Sequence, residues 1–413
     1  MNKYGCIGKK LTHSFSKEIH AQLADYEYEL MELSEEELPS FFAKREFCAI
    51  NVTIPYKQTV IPYLDEISPI ARRIGAVNTI VHRDGKLYGD NTDYTGLKAL
   101  TTRLNLDFRN KKVLVLGTGG TSKTARAVAT DLGAAQVLTV SRQASAEHIT
   151  YPQAMTDHTD AHIIINTTPC GMYPNVHETP IDLSPFSHLE GVVDVVYNPL
   201  RTHLVLDAKA HGLTAEGGLY MLVMQAVAAV EIFTGDAIEP HVADHVFASV
   251  LQSKENVVLI GMPGSGKSTV GKQLSIDGYT FVDTDAEIEA RCGCTIKELI
   301  ATKGEAYFRD VEAAVIRDVS AVCGRIIATG GGAILREENV QNLQHNGKLF
   351  FLDTPLDRLC ATEDRPLSDT ADKLANLYAQ RIDRYRAIAD VVVPTMATPS
   401  EAAAYILTKR MES

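Results

Sequence analysis

The chain is 413 residues long, which at roughly 150 residues per domain allows two or three domains. Apolar residues make up 45% and charged residues 22%, an ordinary globular composition that excludes disordered, collagen-like and membrane-spanning classes. With 40 basic against 52 acidic residues the formal net charge is −12, which argues against a broad nucleic-acid or anionic-membrane surface; any anionic ligand must be gripped by a local cluster of donors.

The opening segment MNKYGCIGKKLTHSFS carries Lys9 and Lys10 where a signal peptide needs an apolar core, so a cytoplasmic protein is expected. Three polar clusters follow: NVTIPYK (51–57), GAVNT (75–79) and GDNTDYTG (89–96), each turn-like by composition. The run KKVLVLGTGGTSKTARAVATDLGA then predicts a buried parallel strand over Val113 to Leu116 and a helix over Ser122 to Leu132. AQVLTVSR adds a second strand, completing a βαβ unit. Gly117, Gly119 and Gly120, with Thr121 beside them, leave room for a pyrophosphate to approach backbone N–H groups; Ser122 stands where G-x-G-x-x-G has its third glycine. At the end of the second strand Ser141 and Arg142 are present and no carboxylate, which favours NADP over NAD.

AHIIINTTPCGM and GVVDVVYNP predict two further buried strands of the same sheet. LYMLVMQAVAAVEIF is interrupted by Gln225 and Glu231, too polar and too short to cross a bilayer, and predicts a buried helix. A Gly-Asp turn and a more polar helix lead to a domain boundary near residue 250. The seven cysteines are scattered apart from Cys292 and Cys294, and are expected to be reduced and mostly buried.

The second strand-loop-helix unit, ENVVLIGMPGSGKSTVGKQL, contains a complete Walker A pattern from Gly261 to Ser268. Its backbone around Gly261, Gly264, Ser265 and Gly266 would wrap phosphate, with Thr269 at the helix start. Lys267 would reach the β and γ phosphates and Ser268 would ligate Mg²⁺. That loop alone leaves the reaction open among ATPases, GTPases and kinases.

Taken together, HSFS, NVTIPYK, GAVNT, NTD, the nucleotide unit and EGGLYMLVMQA resemble shikimate dehydrogenases over about residues 4 to 240. The resemblance implies that Lys57 and Asp93 are catalytic. It places Ser14 and Ser16 on the substrate carboxylate and Thr53, Asn78, Tyr197 and Gln225 around the ring hydroxyls. Lys10 and Lys17 stand where that family commonly has prolines. From about 255 to 395, FVDTD, KGEAYFRDVE, ATGGGAIL, EDRPL and QRIDRY resemble shikimate kinase. By that resemblance Asp285 binds the ring hydroxyls and takes the proton from the attacking one, Arg309 and Arg381 clamp the carboxylate, and Gly330, Gly331 and Gly332 let backbone approach the substrate. It also makes Asp283 a holder of Mg²⁺, Arg365 a lid arginine and Arg358 the adenine-stacking position. Ser368 and Asp383 replace the leucine and proline usual in those segments.

The expected fold class is α/β. Residues 1–98, completed by helices in 218–250, form the substrate domain, 99–217 a Rossmann-like NADP domain, and 251–413 a P-loop kinase domain with a parallel sheet. The expected activity is a shikimate-pathway fusion using NADP(H), ATP and Mg²⁺. It would reduce 3-dehydroshikimate and phosphorylate the shikimate formed, with small molecules as partners, no nucleic acid or membrane, and a homodimer left open. The alternatives are an NAD-dependent quinate/shikimate dehydrogenase, or one half that is silent and senses ligand.

Overall fold

The computed structural model describes residues 3–11, 15–275, 279–359 and 370–411. They form two compact units, Met1–Val250 and Leu251–Ser413.

The first unit begins with β1 (Tyr4–Gly8), α1 (Ser16–Leu23), β2 (Tyr28–Glu32), α2 (Leu38–Lys44), β3 (Ala49–Val52), β4 (Glu66–Ile67), α3 (Pro69–Ile74), β5 (Thr79–Arg83), β6 (Lys86–Asp90) and α4 (Thr92–Arg103). Its strands lie in the order β2-β1-β3-β5-β6-β4. β1 pairs in parallel with β2 and β3, whereas β5 pairs antiparallel with β3 and β6. The β5–β6 hairpin turns at Asp84-Gly85, both at positive φ (52° and 75°), the conformation that matches the twist of the flanking strands.

A second sheet follows, built from β7 (Lys112–Leu116), α5 (Gly120–Asp131), β8 (Gln136–Ser141), β9 (His148–Thr150), α6 (Tyr151–Asp157), β10 (Ile163–Asn166), β11 (Gly191–Asp194), α7 (His203–Ala210) and β12 (Thr214–Glu216). Every pairing in the order β12-β11-β10-β7-β8-β9 is parallel. Side-chain alternation along β7 sends Leu114 and Leu116 into one core and Val113 and Val115 into another on the opposite face, so the strand reads as a continuous apolar run. α8 (Leu219–Thr234) then packs against α4. The contact is close: a Cβ on Gly96 of α4 would lie 2.4 Å from the Met221 carbonyl oxygen, so only glycine fits.

α9 (Pro240–Lys254) carries the chain into the second unit, and the division at 250/251 falls inside this helix. There follow β13 (Asn256–Ile260), α10 (Lys267–Leu274), β14 (Thr280–Asp283), α11 (Thr284–Cys292), α12 (Ile296–Ser320), β15 (Arg325–Ala328), α13 (Glu337–Asn346), β16 (Gly347–Asp353), α14 (Ala371–Ile388), β17 (Val391–Pro394) and α15 (Pro399–Met411). The sheet is parallel in the order β14-β15-β13-β16-β17. Central β13 again feeds two cores, Val258 and Ile260 on one face, Val257 and Leu259 on the other. Among the described residues no helix is long and apolar enough to cross a membrane.

Two expectations need correction. The helix after the first glycine loop starts at Gly120 rather than Ser122, because Gly119 is its N-cap and Gly120 already its first helical residue. The cysteines are free among the described residues, but Cys6 alone is buried; Cys48, Cys170, Cys292, Cys294 and Cys323 are half-buried, lying at element ends rather than inside them.

Candidate active sites

In the first unit the loop after β3 and the first turn of α4 bring Lys57 and Asp93 together. Lys57 Nζ donates to Asp93 Oδ2 at 2.5 Å, with the two side chains 14% and 8% exposed. Asp93 is presented by α4, whose N-cap Asn91 accepts from the Tyr94 N–H and donates to the Ala76 carbonyl. The other carboxylate oxygen of Asp93 accepts from Asn78 Nδ2 at 2.9 Å. Asn78 Oδ1 in turn accepts from the Thr92 N–H at 2.7 Å, which fixes which way round its amide sits. Thr79 and Thr92 hydroxyls meet at 2.9 Å, Asn51 Nδ2 donates to Thr79 Oγ1, and Tyr28 donates to Asn51 Oδ1. The pair therefore stands on a buried polar network whose members hold one another in a single arrangement.

Gln225 joins from α8, its Oε1 3.5 Å from Thr92 Oγ1. Thr53 sits at the carboxyl ends of β1 and β3, its N–H bonded to the Ile7 carbonyl. Tyr197 packs its ring against Phe15 with centroids 5.3 Å apart; burial pushes the Tyr197 phenol up to about 12. Ser16 opens α1, while Ser14 lies outside the described residues. Lys10 is exposed, as is Lys17 in the first turn of α1.

The glycine loop abuts this pair. Gly117 has φ +106°, and a Cβ on Gly120 would lie 3.6 Å from the Lys57 Cβ. Gly119, the N-cap of α5, faces open space, since a Cβ there would meet nothing within 4 Å. Ser122 fills the third-glycine position with a function of its own: its buried hydroxyl donates to the Gly117 carbonyl at 2.6 Å and closes the loop. Thr121 is in the first turn of α5. Ser141 bonds the Gln143 backbone and Arg142 is exposed at the end of β8. Open space before a helix N-terminus, beside an available guanidinium and no carboxylate, fits a phosphorylated dinucleotide.

Nearby, Asp194 is wholly buried at the end of β11. It accepts from Asn166 Nδ2, the Val196 N–H and Thr202 Oγ1. Burial pushes its carboxyl up to about 7, against three hydrogen bonds that favour the charged form.

In the second unit Lys267 is buried, its ammonium bonded to the Gly261 and Met262 carbonyls, each at 2.9 Å. Gly264 and Gly266 turn the loop at positive φ; a Cβ on Gly266 would meet nothing, and the buried Ser265 hydroxyl has no protein partner. Thr269 lies in the first turn of α10. This open cradle fits a polyphosphate. Ser268 Oγ donates to Asp283 Oδ2 at 2.5 Å, and Asp283 also caps α11. No group of three or more His, Cys, Asp or Glu among the described residues could hold a metal ion. A magnesium ion here would therefore depend on phosphate oxygens besides Ser268 and Asp283.

The three glycines after β15 are explained by what they touch. A Cβ would lie 2.6 Å from Asp285 Oδ1 at Gly330, 2.7 Å from Pro263 Cδ at Gly331 and 2.4 Å from Arg309 Nη1 at Gly332. The loop thus collects Asp285, Arg309 and the phosphate loop around itself. Arg381 is buried and donates to the Gly331 carbonyl at 2.9 Å; that burial lowers its proton affinity. Arg358 ends an exposed turn, and Arg365 and Ser368 lie outside the described residues. Asp383 is an exposed position of the uninterrupted α14.

Two residues of this site escaped the sequence reading. Glu312 is 1% exposed and bonds Arg309 Nη1 at 2.8 Å; burial raises its carboxyl, partly opposed by Arg309. Tyr385 bonds main-chain carbonyls of both loops. Their spacings, Arg309 to Glu312 at i,i+3 and Arg381 to Tyr385 at i,i+4, put each on the helical face of an arginine already singled out, a signal present in the sequence.

Fold and sites define an α/β enzyme with two nucleotide-handling centres, one of the dehydrogenase type and one of the P-loop phosphotransferase type. Residues 6–80 match the family of shikimate dehydrogenase substrate binding domains, and residues 263–412 match shikimate kinase. The shikimate dehydrogenase (NADP(+)) of Clostridium beijerinckii is 38% identical over 250 residues, 56% of this chain and 92% of that protein. Shikimate dehydrogenase 1 from Peptoclostridium difficile superposes with a TM-score of 0.57 at 35% identity, over 60% of this chain and 98% of that one. Shikimate 5-dehydrogenase from Thermus thermophilus, solved with NADP(H) and shikimate, gives 0.55 at 28% identity, over 60% and 99%. The chain belongs to the shikimate dehydrogenase family and carries a shikimate kinase domain behind it, an oxidoreductase and a phosphotransferase of the shikimate pathway in one polypeptide.

Proposed function

We propose that residues 1–250 reduce 3-dehydroshikimate to shikimate with NADPH and that residues 251–413 transfer the γ-phosphoryl group of ATP to the shikimate 3-hydroxyl, with Mg²⁺. The observation that carries the first assignment is the Lys57–Asp93 pair set directly against the glycine loop. Bound NADPH supplies hydride; the chain must supply the proton. Lys57 hydrogen-bonds the ketone oxygen and gives it a proton as the alcohol forms, while Asp93, held by Asn78, keeps the ammonium aimed. Thr53, Gln225 and Tyr197 offer neutral polar groups for ring hydroxyls, and Ser14 and Ser16 hydroxyls for the carboxylate. Arg142, with no acidic neighbour at the end of β8, supports NADP as the cofactor.

In the second unit Asp285 accepts the proton of the attacking hydroxyl, and Arg309 and Arg381 grip the carboxylate by charge-assisted bonds. Lys267 and Ser268 serve the phosphates and the metal ion that come with ATP, the source of the phosphoryl group. Arg365 and Arg358 complete the nucleotide side. We also propose the corresponding division within the first unit: a substrate domain of 1–98 completed by 218–250, and a nucleotide domain of 99–217. The test is one assay on the purified chain with 3-dehydroshikimate, NADPH and Mg-ATP, following NADPH loss and ADP formation separately. Both should proceed, ADP formation lagging until shikimate accumulates. NADPH loss without ADP formation, even with added shikimate, would sink the kinase assignment.

A further inference from the structure

Tyr385 lies on α14 one turn after Arg381 and is completely buried, its ring stacked on Phe351 of β16 with centroids 5.1 Å apart and planes within 1°. Its hydroxyl is 2.9 Å from the Gly261 carbonyl, the first residue of the phosphate loop, and 2.6 Å from the Gly331 carbonyl, the middle of the three glycines. Each carbonyl accepts a second bond from a cation: Lys267 Nζ on Gly261 and Arg381 Nη1 on Gly331, both at 2.9 Å. The two loops also touch directly, through Gly331 and Pro263.

A phenol has one proton, so these two acceptors divide it. Burial keeps that proton in place across the working pH range. If phosphate draws Lys267 away from Gly261, the phenol proton is free to turn to that carbonyl. Gly331 is then left to Arg381, whose fork is thereby fixed with its remaining N–H groups available to a carboxylate.

We propose that Tyr385 is a positioning residue for phosphoryl transfer, one hydroxyl that ties the phosphate loop to the substrate loop and makes the seating of Arg381 depend on the state of Lys267. This deepens the kinase assignment above and rests on it. Tyr385→Phe removes the hydroxyl and keeps the stacked ring. In the full-length chain we expect the kinase kcat to fall at least tenfold and the dehydrogenase kcat to stay within twofold. We further expect the ratio of shikimate Kd without and with Mg-ADP, measured by calorimetry, to be about fivefold or more in the wild type and to collapse toward one in the variant. A wild-type ratio within twofold of one overturns the proposal, as does a variant that keeps the wild-type ratio. A slower variant with an unchanged ratio has lost only structure and overturns it too. A wild type that does not phosphorylate shikimate overturns the kinase assignment and this proposal with it; a variant that matches an active wild type overturns this proposal alone.

Discussion

In the first unit Lys57 already holds its carboxylate partner, and both stand on a network of neutral amides and hydroxyls. In the second, Lys267 bonds the Gly261 and Met262 carbonyls and Arg381 bonds the Gly331 carbonyl, while Arg309 is held by buried Glu312 and by Glu305. The difference follows the charge each centre handles. A ketone becoming an alcohol needs one proton delivered along one direction, which a fixed ion pair provides. A carboxylate and a polyphosphate need several positive charges that can be shared with an incoming anion, and a carbonyl dipole holds a cation less tightly than a carboxylate does.

The comparison breaks most sharply on the two lysines. Lys57→Met should lower dehydrogenase turnover by about 10² to 10⁴, the usual worth of a positioned acid, and leave kinase turnover within twofold. Lys267→Met should do the reverse; parallel loss of both rates in either variant would show that the centres are not independent. Next in size is Glu312→Gln. Removing the buried charge that holds Arg309 should raise the kinase KM for shikimate roughly 30-fold, about 2 kcal/mol, with a smaller change in kcat. An unchanged KM would mean that Arg309 does not depend on Glu312 and is held well enough by Glu305. Arg142→Ala should cost about tenfold in kcat/KM with NADPH, about 1.4 kcal/mol, and little with NADH. Equal losses with the two cofactors would remove Arg142 from cofactor choice.

The smallest effect concerns Asp194. Its folded-state pKa of about 7 lies above the ordinary carboxylate value of 3.8, so its protonated form contributes stability that is complete below pH 4 and is lost as pH rises through 7. Between pH 6 and 8 the wild type should lose about 1 kcal/mol relative to Asp194→Asn in the melting of the first unit. Parallel pH profiles for the two proteins would show that the group is ionised throughout.

Much of this was readable from local pattern. Both strand-glycine-helix units, the buried α8 and the turn at Gly235 follow from residues near in sequence. Less legible were features that depend on distant partners. Ser122 looks like a defect in a glycine motif until its hydroxyl is seen bonded to Gly117, five residues back across a turn. Asn78 reads as one of several polar turn residues, but it orients Asp93 because β5 begins beside the start of α4. Gln225 meets Thr92 across 133 residues, a pairing no local spacing encodes. Glu312 and Tyr385 were within reach, one helical turn from arginines already marked. They pass unnoticed because a glutamate and a tyrosine on an amphipathic helix have ordinary structural readings.

The contact beneath Gly96 also bears on how the molecule is made. Asp93 is carried by α4, and α4 packs on α8, which is synthesised only after all six strands of the intervening parallel sheet. A growing chain that has emerged as far as residue 200 contains Lys57 and Asp93 but lacks the surface against which their helix settles, so the reductase centre is completed late, by a long-range closure. The kinase centre closes late as well, because α10, which carries Lys267 and Ser268, packs on α15, with Val270 and Leu274 in one core with Ala402 and Ile406. During synthesis the first-encoded centre thus waits on the last helices of its own unit, an interval in which α4 exposes its apolar face to other nascent chains and to chaperones.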